Sequence, residues 1–293
     1  MLAKAPVLAA DMVFLDLEDS VAPRAKPDAR QNVIEALSSN WGEKTVEVRI
    51  NSIGTDWAAD DLKTVVEGAG EHIDCIMIPK VEHAHEVMFV DHMLRMIETT
   101  TNLEKRIGIE AQIETATGLL NVHEIAHVSE RLETLVFGPA DMSASLGLPA
   151  VSPGLPIPGY PGDHWHSVLV TILVAARAAG LQAIDGPYLS IKDLDGLRET
   201  AARARALGYD GKWAVHPDQI DVLNDVFTPT QDEFEKAEAI LAAYDRATED
   251  EARGALMFGD EMIDEASRKM AERVVERGRA AGMTPASSHR ETP

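Results

Sequence analysis

The chain has 293 residues, 45% of them apolar and 26% charged, the proportions of an ordinary globular protein. Forty-nine acidic against 27 basic side chains leave a formal charge of −22, which argues against general nucleic-acid or anionic-membrane binding. The single cysteine, Cys75, excludes an internal disulfide and a cysteine-rich zinc site and fits a reducing cytoplasm, and no apolar run reaches the roughly 18 residues of a membrane span.

Residues 2–10 read as the end of a helix feeding a first strand at 12–19 (MVFLDLED). Further β-branched runs follow at 45–51, 75–81, 106–114, 134–142, 182–187 and 211–217. Their starts lie 28 to 33 residues apart, except for one interval of 48. A strand with its return helix takes about 30 residues, so the rhythm predicts repeated parallel βα units and an α/β fold. The long interval holds a loop at 146–162 with five prolines, which remove backbone donors and preclude a helix. Helices are expected at 218–227, at 230–246 with Thr230 and Glu233 in capping-box spacing, and near 261–280 after a charged break at 248–254. Seven strands are one short of a closed eight-stranded barrel, and a strand is expected upstream. The expected division is a barrel over 1–228, a helical extension over 229–283 and a disordered polar tail over 284–293.

Active sites of βα barrels lie at the C-terminal ends of the strands. Those ends carry Glu18 and Asp19, Arg49 and Asn51, Lys80, Glu114, Asp141, Asp185 and His216. Glu114 and Asp141 end adjacent strands, about 5 Å apart, where two carboxylates suit Mg²⁺; alternatively each caps a following helix. Arg49, in a Val/Ile strand, either binds a carboxylate or oxyanion or pairs with Glu18 or Asp19. Lys80 either forms a Schiff base or pairs with neighbouring acids. Arg24, Lys26 and Arg30, around Pro27 at a helix start, either hold phosphates or form a solvated face. His216 is either an acid–base group or a structural histidine. The other histidines lack ligand spacing, and Cys75 reads as a small buried hydrophobe.

The stretches FLDLEDSVAP (14–23), VRINSIGT (48–55), IPKVE (78–82), IEAQIETATGLLN (109–121), FGPADMSASLG (137–147) and GKWAVHPDQI (211–220) resemble the CoA-ester lyase family that includes malyl-CoA and β-methylmalyl-CoA lyases and the citrate lyase β subunit. Residues 138–188 look closer to the malyl-CoA type. The resemblance implies a (β/α)₈ TIM-type barrel with a C-terminal helical extension; the family's first apolar strand and its Val-Pro-Gly turn have no counterpart here. It implies Mg²⁺, replaceable by Mn²⁺, on Glu114 and Asp141. Arg49 would meet the keto-acid and its oxyanion, with Glu18 and Asp19 near the metal and Arg24, Lys26 and Arg30 near the CoA phosphates. Asp264 would be the catalytic base, lent by a neighbouring subunit of a trimer or hexamer. The implied reaction is reversible cleavage of a 3-hydroxyacyl-CoA to glyoxylate and acetyl-CoA or propionyl-CoA in the cytoplasm. The alternatives are malyl-CoA thioester hydrolysis, citramalyl-CoA or citryl-CoA cleavage, and a silent CoA-binding subunit.

Overall fold

The computed structural model describes residues 2–149, 157, 159–251 and 254–285. It comprises two compact units, Met1–Asn224 and Asp225–Pro293. In the first, strands and helices alternate: β1 (Met12–Asp16), α1 (Lys26–Leu37), β2 (Thr45–Arg49), α2 (Ala58–Ala69), β3 (Cys75–Ile78), α3 (Ala84–Thr101) and β4 (Gly108–Ile113). Two short helices, α4 (Ala116–Leu120) and α5 (Val122–His127), precede β5 (Leu132–Phe137). Next come α6 (Pro139–Ser145), α7 (His166–Ala178), β6 (Gln182–Asp185), α8 (Leu194–Leu207) and β7 (Gly211–Lys212). The seven strands form one parallel sheet in chain order. β3 and β4 are buried at every residue, as a parallel sheet flanked by its crossover helices requires. Phe14 of β1 meets Trp213, next to β7, edge to face at 4.6 Å, so the sheet curls until its two edge strands come within ring contact.

The strands start close to the predicted residues but end earlier. β1 stops at Asp16, β4 at Ile113 and β7 after two residues. The polar residues read as strand ends therefore stand on loops just beyond the sheet. Residues 2–7 form a 3-10 helix rather than the end of an α-helix; Pro6 lies inside it and cannot donate a backbone bond. The loop predicted over 146–162 lies outside the described residues at 150–156 and 158, as does the predicted tail beyond 285.

After β7 comes α9 (Ile220–Phe227), and then α10 (Gln231–Glu251). The Thr230–Glu233 capping box forms as predicted: the Glu233 N–H donates to Thr230 Oγ1 (3.2 Å) and the Thr230 N–H to Glu233 Oε2 (2.8 Å). An antiparallel hairpin, β8 (Ala255–Phe258) and β9 (Glu261–Asp264), corrects the expected helix start at Glu261. Gly259, at φ +58°, supplies the positive angle that a two-residue hairpin turn needs. The final helix, α11 (Glu265–Ala280), packs on α10 through Phe234, Ala237, Ala271 and Val275. No helix among the described residues is long and apolar enough to cross a membrane.

One buried polar pair stands apart from the strand ends. Glu47 of β2 and Glu110 of β4 are 0% and 1% exposed, and neither oxygen of Glu47 meets a hydrogen-bond donor. Burial pushes both carboxyls up, and the charge of Glu110 pushes Glu47 further. Below the unfolded carboxyl pKa of about 4.3 both states are protonated. As pH rises above it, the unfolded chain ionises while the folded pair retains its proton, so stability falls. Glu47→Gln has no such proton to lose. Its melting temperature should exceed that of the wild type by a margin that widens from near zero at about pH 4 to several degrees at about pH 8. A margin independent of pH in a scan of melting temperatures would refute the account.

Candidate active site

The register that pairs Asp16 with Arg49 puts opposite charges on neighbouring strand ends. Arg49 Nε and Nη2 donate to the two carboxylate oxygens of Asp16 at 2.8 and 2.7 Å. The guanidinium also lies 5.5 Å from the Phe14 ring centroid and 5.2 Å from that of Trp213. Burial alone would raise the Asp16 carboxyl, but Arg49 holds it down at about 2. Arg49 Nη1 is left 3.5 Å from Glu18 Oε2. The expected pairing of Arg49 with Glu18 or Asp19 is thus mainly a fork on Asp16, with Glu18 second. The signal for Asp16 was its period-two spacing from Glu18 in one strand.

Glu114 follows β4 directly and is 2% exposed. Its Oε1 accepts the Lys80 backbone N–H and its Oε2 accepts Gln112 Nε2, both at 2.8 Å. The neighbouring position 138 must be glycine, because a Cβ there would lie 2.3 Å from Glu114 Oε2. Burial and then the charge of Asp141 push the Glu114 carboxyl up to about 8. Asp141 lies in the first turn of α6 and is partly exposed. Glu114 does not cap the following helix: α4 is capped by Thr115, whose side chain accepts the Gly118 N–H.

Lys80 stands among these acids. Its ammonium contacts Glu18 Oε1 and lies 3.4 Å from Asp19 Oδ1 and 3.7 Å from Asp141 Oδ1. Burial alone would lower its pKa, but Glu18, Asp141 and Asp19 raise it above the ordinary lysine value. A Schiff-base lysine must be neutral to attack, so this environment favours the ion-pairing role. Glu18 is 6% exposed and pushed up by burial despite Lys80 and Arg49, and its Oε2 has no hydrogen-bond partner. Among the described residues no three His, Cys, Asp or Glu side chains form a ready metal cage. The site nevertheless fits a hard divalent cation: its donors are carboxylate oxygens, the buried Glu18 Oε2 accepts no hydrogen bond, and Glu114 and Asp141 bring together like charges that such an ion would offset.

The predicted phosphate cluster is corrected. Lys26 is 5% exposed, and its ammonium donates to the Leu17 and Glu18 carbonyls at 3.0 and 2.9 Å and to Asn51 Oδ1 at 2.5 Å. Arg30 is also buried, its Nε 2.7 Å from Asp61 Oδ1. Asp61 also accepts from the Asn51 backbone and side chain, so all four residues tie the loops after β1 and β2 together. Arg24 is the exposed cation of that segment. His216 caps the 3-10 turn Pro217–Gln219, its Nδ1 accepting the Asp218 N–H at 3.2 Å. In the second unit Asp264 is the N-cap of α11, its Oδ1 accepting the N–H groups of Ala266 (2.9 Å) and Ser267 (3.2 Å). Lys212, unremarked in the sequence, forms a buried ion pair with Asp185 at 2.5 Å.

Comparison with known proteins adds to this geometry. The family model for HpcH/HpaI aldolase/citrate lyase matches residues 1–217. The chain is 40% identical to the L-malyl-CoA/beta-methylmalyl-CoA lyase of Rhodobacter capsulatus over 283 residues, covering 93% of this chain and 89% of that one. It is 32% identical to citrate lyase subunit beta of Escherichia coli, covering 97% and 90%. Among solved structures, the protein CitE from Mycobacterium tuberculosis in complex with magnesium, acetoacetate and coenzyme A superposes with a TM-score of 0.75. That match has 33% identity and covers 94% of this chain and 92% of the other.

Proposed function

The chain belongs to the HpcH/HpaI aldolase/citrate lyase family, and from that premise we propose the reaction its acidic site performs. It is a carbon–carbon lyase that splits a 3-hydroxyacyl-CoA, L-malyl-CoA or β-methylmalyl-CoA, reversibly into glyoxylate and acetyl-CoA or propionyl-CoA. The observation that carries the reading is the convergence of Glu114 and Asp141 on Lys80, with Glu18 linking that cluster to Arg49.

Glu114 and Asp141 would hold Mg²⁺, or Mn²⁺ in its place, with Glu18 and Asp19 beside it. When bound, the ion supplies Lewis acidity to the hydroxyl and carboxylate oxygens of the substrate. Arg49, its orientation set by Asp16, Phe14 and Trp213, presents Nη1 to the oxygen on which charge develops. In the cleavage direction the hydroxyl gives its proton to a carboxylate of the site, its carbon becomes the carbonyl carbon of glyoxylate as the carbon–carbon bond breaks, and the electron pair of that bond passes to the acyl-CoA as an enolate. Protonation of that carbon completes the acyl-CoA. Asp264 of a neighbouring subunit delivers that proton and, in the reverse direction, removes it; the thioester makes the α-proton acidic enough for a carboxylate. Arg24 faces the CoA phosphates. The curled sheet is read as part of a (β/α)₈ barrel, in a cytoplasmic homo-oligomer of three or six chains. The barrel reading draws on the ring contact between its edge strands.

The test is an assay of the purified protein with malyl-CoA, β-methylmalyl-CoA and citramalyl-CoA, with and without Mg²⁺, scoring keto-acid and free thiol separately. Glyoxylate without thiol release, dependent on Mg²⁺, is the expected result. Thiol without glyoxylate would replace the lyase by a thioesterase. Cleavage that survives EDTA and is trapped by borohydride would move the chemistry to Lys80.

A further inference from the structure

We infer that Lys80 is the resident counter-ion of the acidic site, its ammonium standing among the carboxylates in place of the divalent cation and swinging aside when the cation binds. The inference rests on the metal-dependent reading above and concerns what prepares the site for its ion.

Three observations converge on this one residue. First, its ammonium lies within 3.7 Å of Glu18, Asp19 and Asp141, while its backbone N–H holds Glu114. One residue thus faces four acids from three separate segments: the loop after β1, the loop after β4 and the first turn of α6. Without a cation these carboxylates would repel one another, and Lys80 supplies the positive charge that lets the folded site form. Second, Lys80 adopts φ +52°, a left-handed conformation that non-glycine residues seldom occupy. The strain is held by the bond to Glu114, so the backbone that orients this acid also brings the ammonium to its neighbours. Third, the side chain is 28% exposed on a flexible four-carbon stem. It can release its partners into water without unpacking the core, unlike the buried Lys26 and Lys212. A divalent cation offers the same acids twice the charge.

Removing the ammonium should weaken the apoprotein and strengthen cation binding, whereas loss of an ordinary supporting residue weakens both. Titration calorimetry of the full chain with Mg²⁺ alone, and melting in EDTA, should be compared for wild type, Lys80→Met, Lys80→Gly and Lys80→Arg. The Met and Gly variants should melt below the wild type in EDTA, recover more on Mg²⁺ addition, and bind Mg²⁺ roughly ten-fold tighter. Lys80→Arg, which keeps the charge, should bind close to the wild type. Glycine suits the left-handed backbone and keeps the N–H that holds Glu114, so a folded variant is secured if methionine disrupts the loop. Unchanged or weaker Mg²⁺ binding in the folded Met or Gly variant, with the wild type binding normally, overturns this inference and leaves the lyase reading intact. Binding only after Lys80 is replaced supports it strongly. No Mg²⁺ binding by any of the four overturns it together with the metal-dependent reading.

Discussion

Glu114→Gln should reduce Mg²⁺-dependent glyoxylate release from malyl-CoA by about a thousand-fold or more while leaving the fold intact. The substitution is nearly isosteric and removes the charge that would grip the cation, so it tests ligation rather than packing. Glu114 now accepts two hydrogen bonds, from the Lys80 N–H and from Gln112 Nε2. A glutamine keeps one acceptor, which can face Lys80, and turns an NH₂ toward Gln112. Gln112 Oε1 is buried without a partner, so a flip of the Gln112 amide presents an oxygen to that NH₂. The number of unpartnered buried groups then stays the same, the Gln112 NH₂ taking the place of its oxygen. The carboxyl that glutamine replaces is one that burial already pushes toward its neutral form. Melting in EDTA should therefore match or exceed the wild type. Near-normal turnover in Mg²⁺ by the folded variant would remove Glu114 from the cation site.

Much of this arrangement was legible in the sequence because parallel βα units of about 30 residues alternate short β-branched runs with longer amphipathic stretches. The starts Met12, Thr45, Cys75, Gln182 and Gly211 fall at the predicted residues. The ends do not, for a physical reason. Asp16, Ile78, Ile113 and Phe137 make the last sheet contacts, and the chain then turns away with Glu18, Lys80, Glu114 and Asp141 on the exit loops. Such residues remain polar and extended in sequence, so pattern alone carries the strand past its last ladder bond.

Direction of pointing was the less legible part. Lys26, Arg24 and Arg30 look alike in the sequence as a basic patch, yet two of them are buried. What turns them inward lies far along the chain: the Leu17 and Glu18 carbonyls, Asn51 and Asp61. The hairpin at 255–264 failed for the opposite reason. Its strands are four residues each and half exposed, and the helical period of the charged residues that follow extends back over 261–264, the second strand alone. Only Gly259 beside Asp260 gave a turn signal. Asp264 rests on family resemblance rather than on any spacing, and the structure shows it as a helix cap.

The cap and the proposed base can be told apart by one substitution. Asparagine caps helices about as well as aspartate, because its Oδ1 accepts the same backbone N–H groups. In Asp264→Asn the bonds from Ala266 and Ser267 should persist, and α11 with its packing against α10 should hold. A carboxylate that moves a proton has no amide equivalent. Turnover should therefore fall by roughly 10²- to 10⁴-fold while the melting temperature stays close to that of the wild type. Deuterium uptake into the α-carbon of acetyl-CoA from heavy water should fall in parallel, since it reports proton removal without carbon–carbon bond formation. Asp264→Ala, which loses both roles, should lose activity and also about 1 kcal/mol of stability. A base lent between subunits makes a further demand: mixing Asp264→Asn with Arg49→Lys chains under conditions of subunit exchange should restore activity that neither has alone. Here Arg49→Lys keeps the charge but loses the fork on Asp16. Loss of activity in both variants with no recovery on mixing would place Asp264 in the site of its own chain. Full activity in Asp264→Asn would leave it as a helix cap alone.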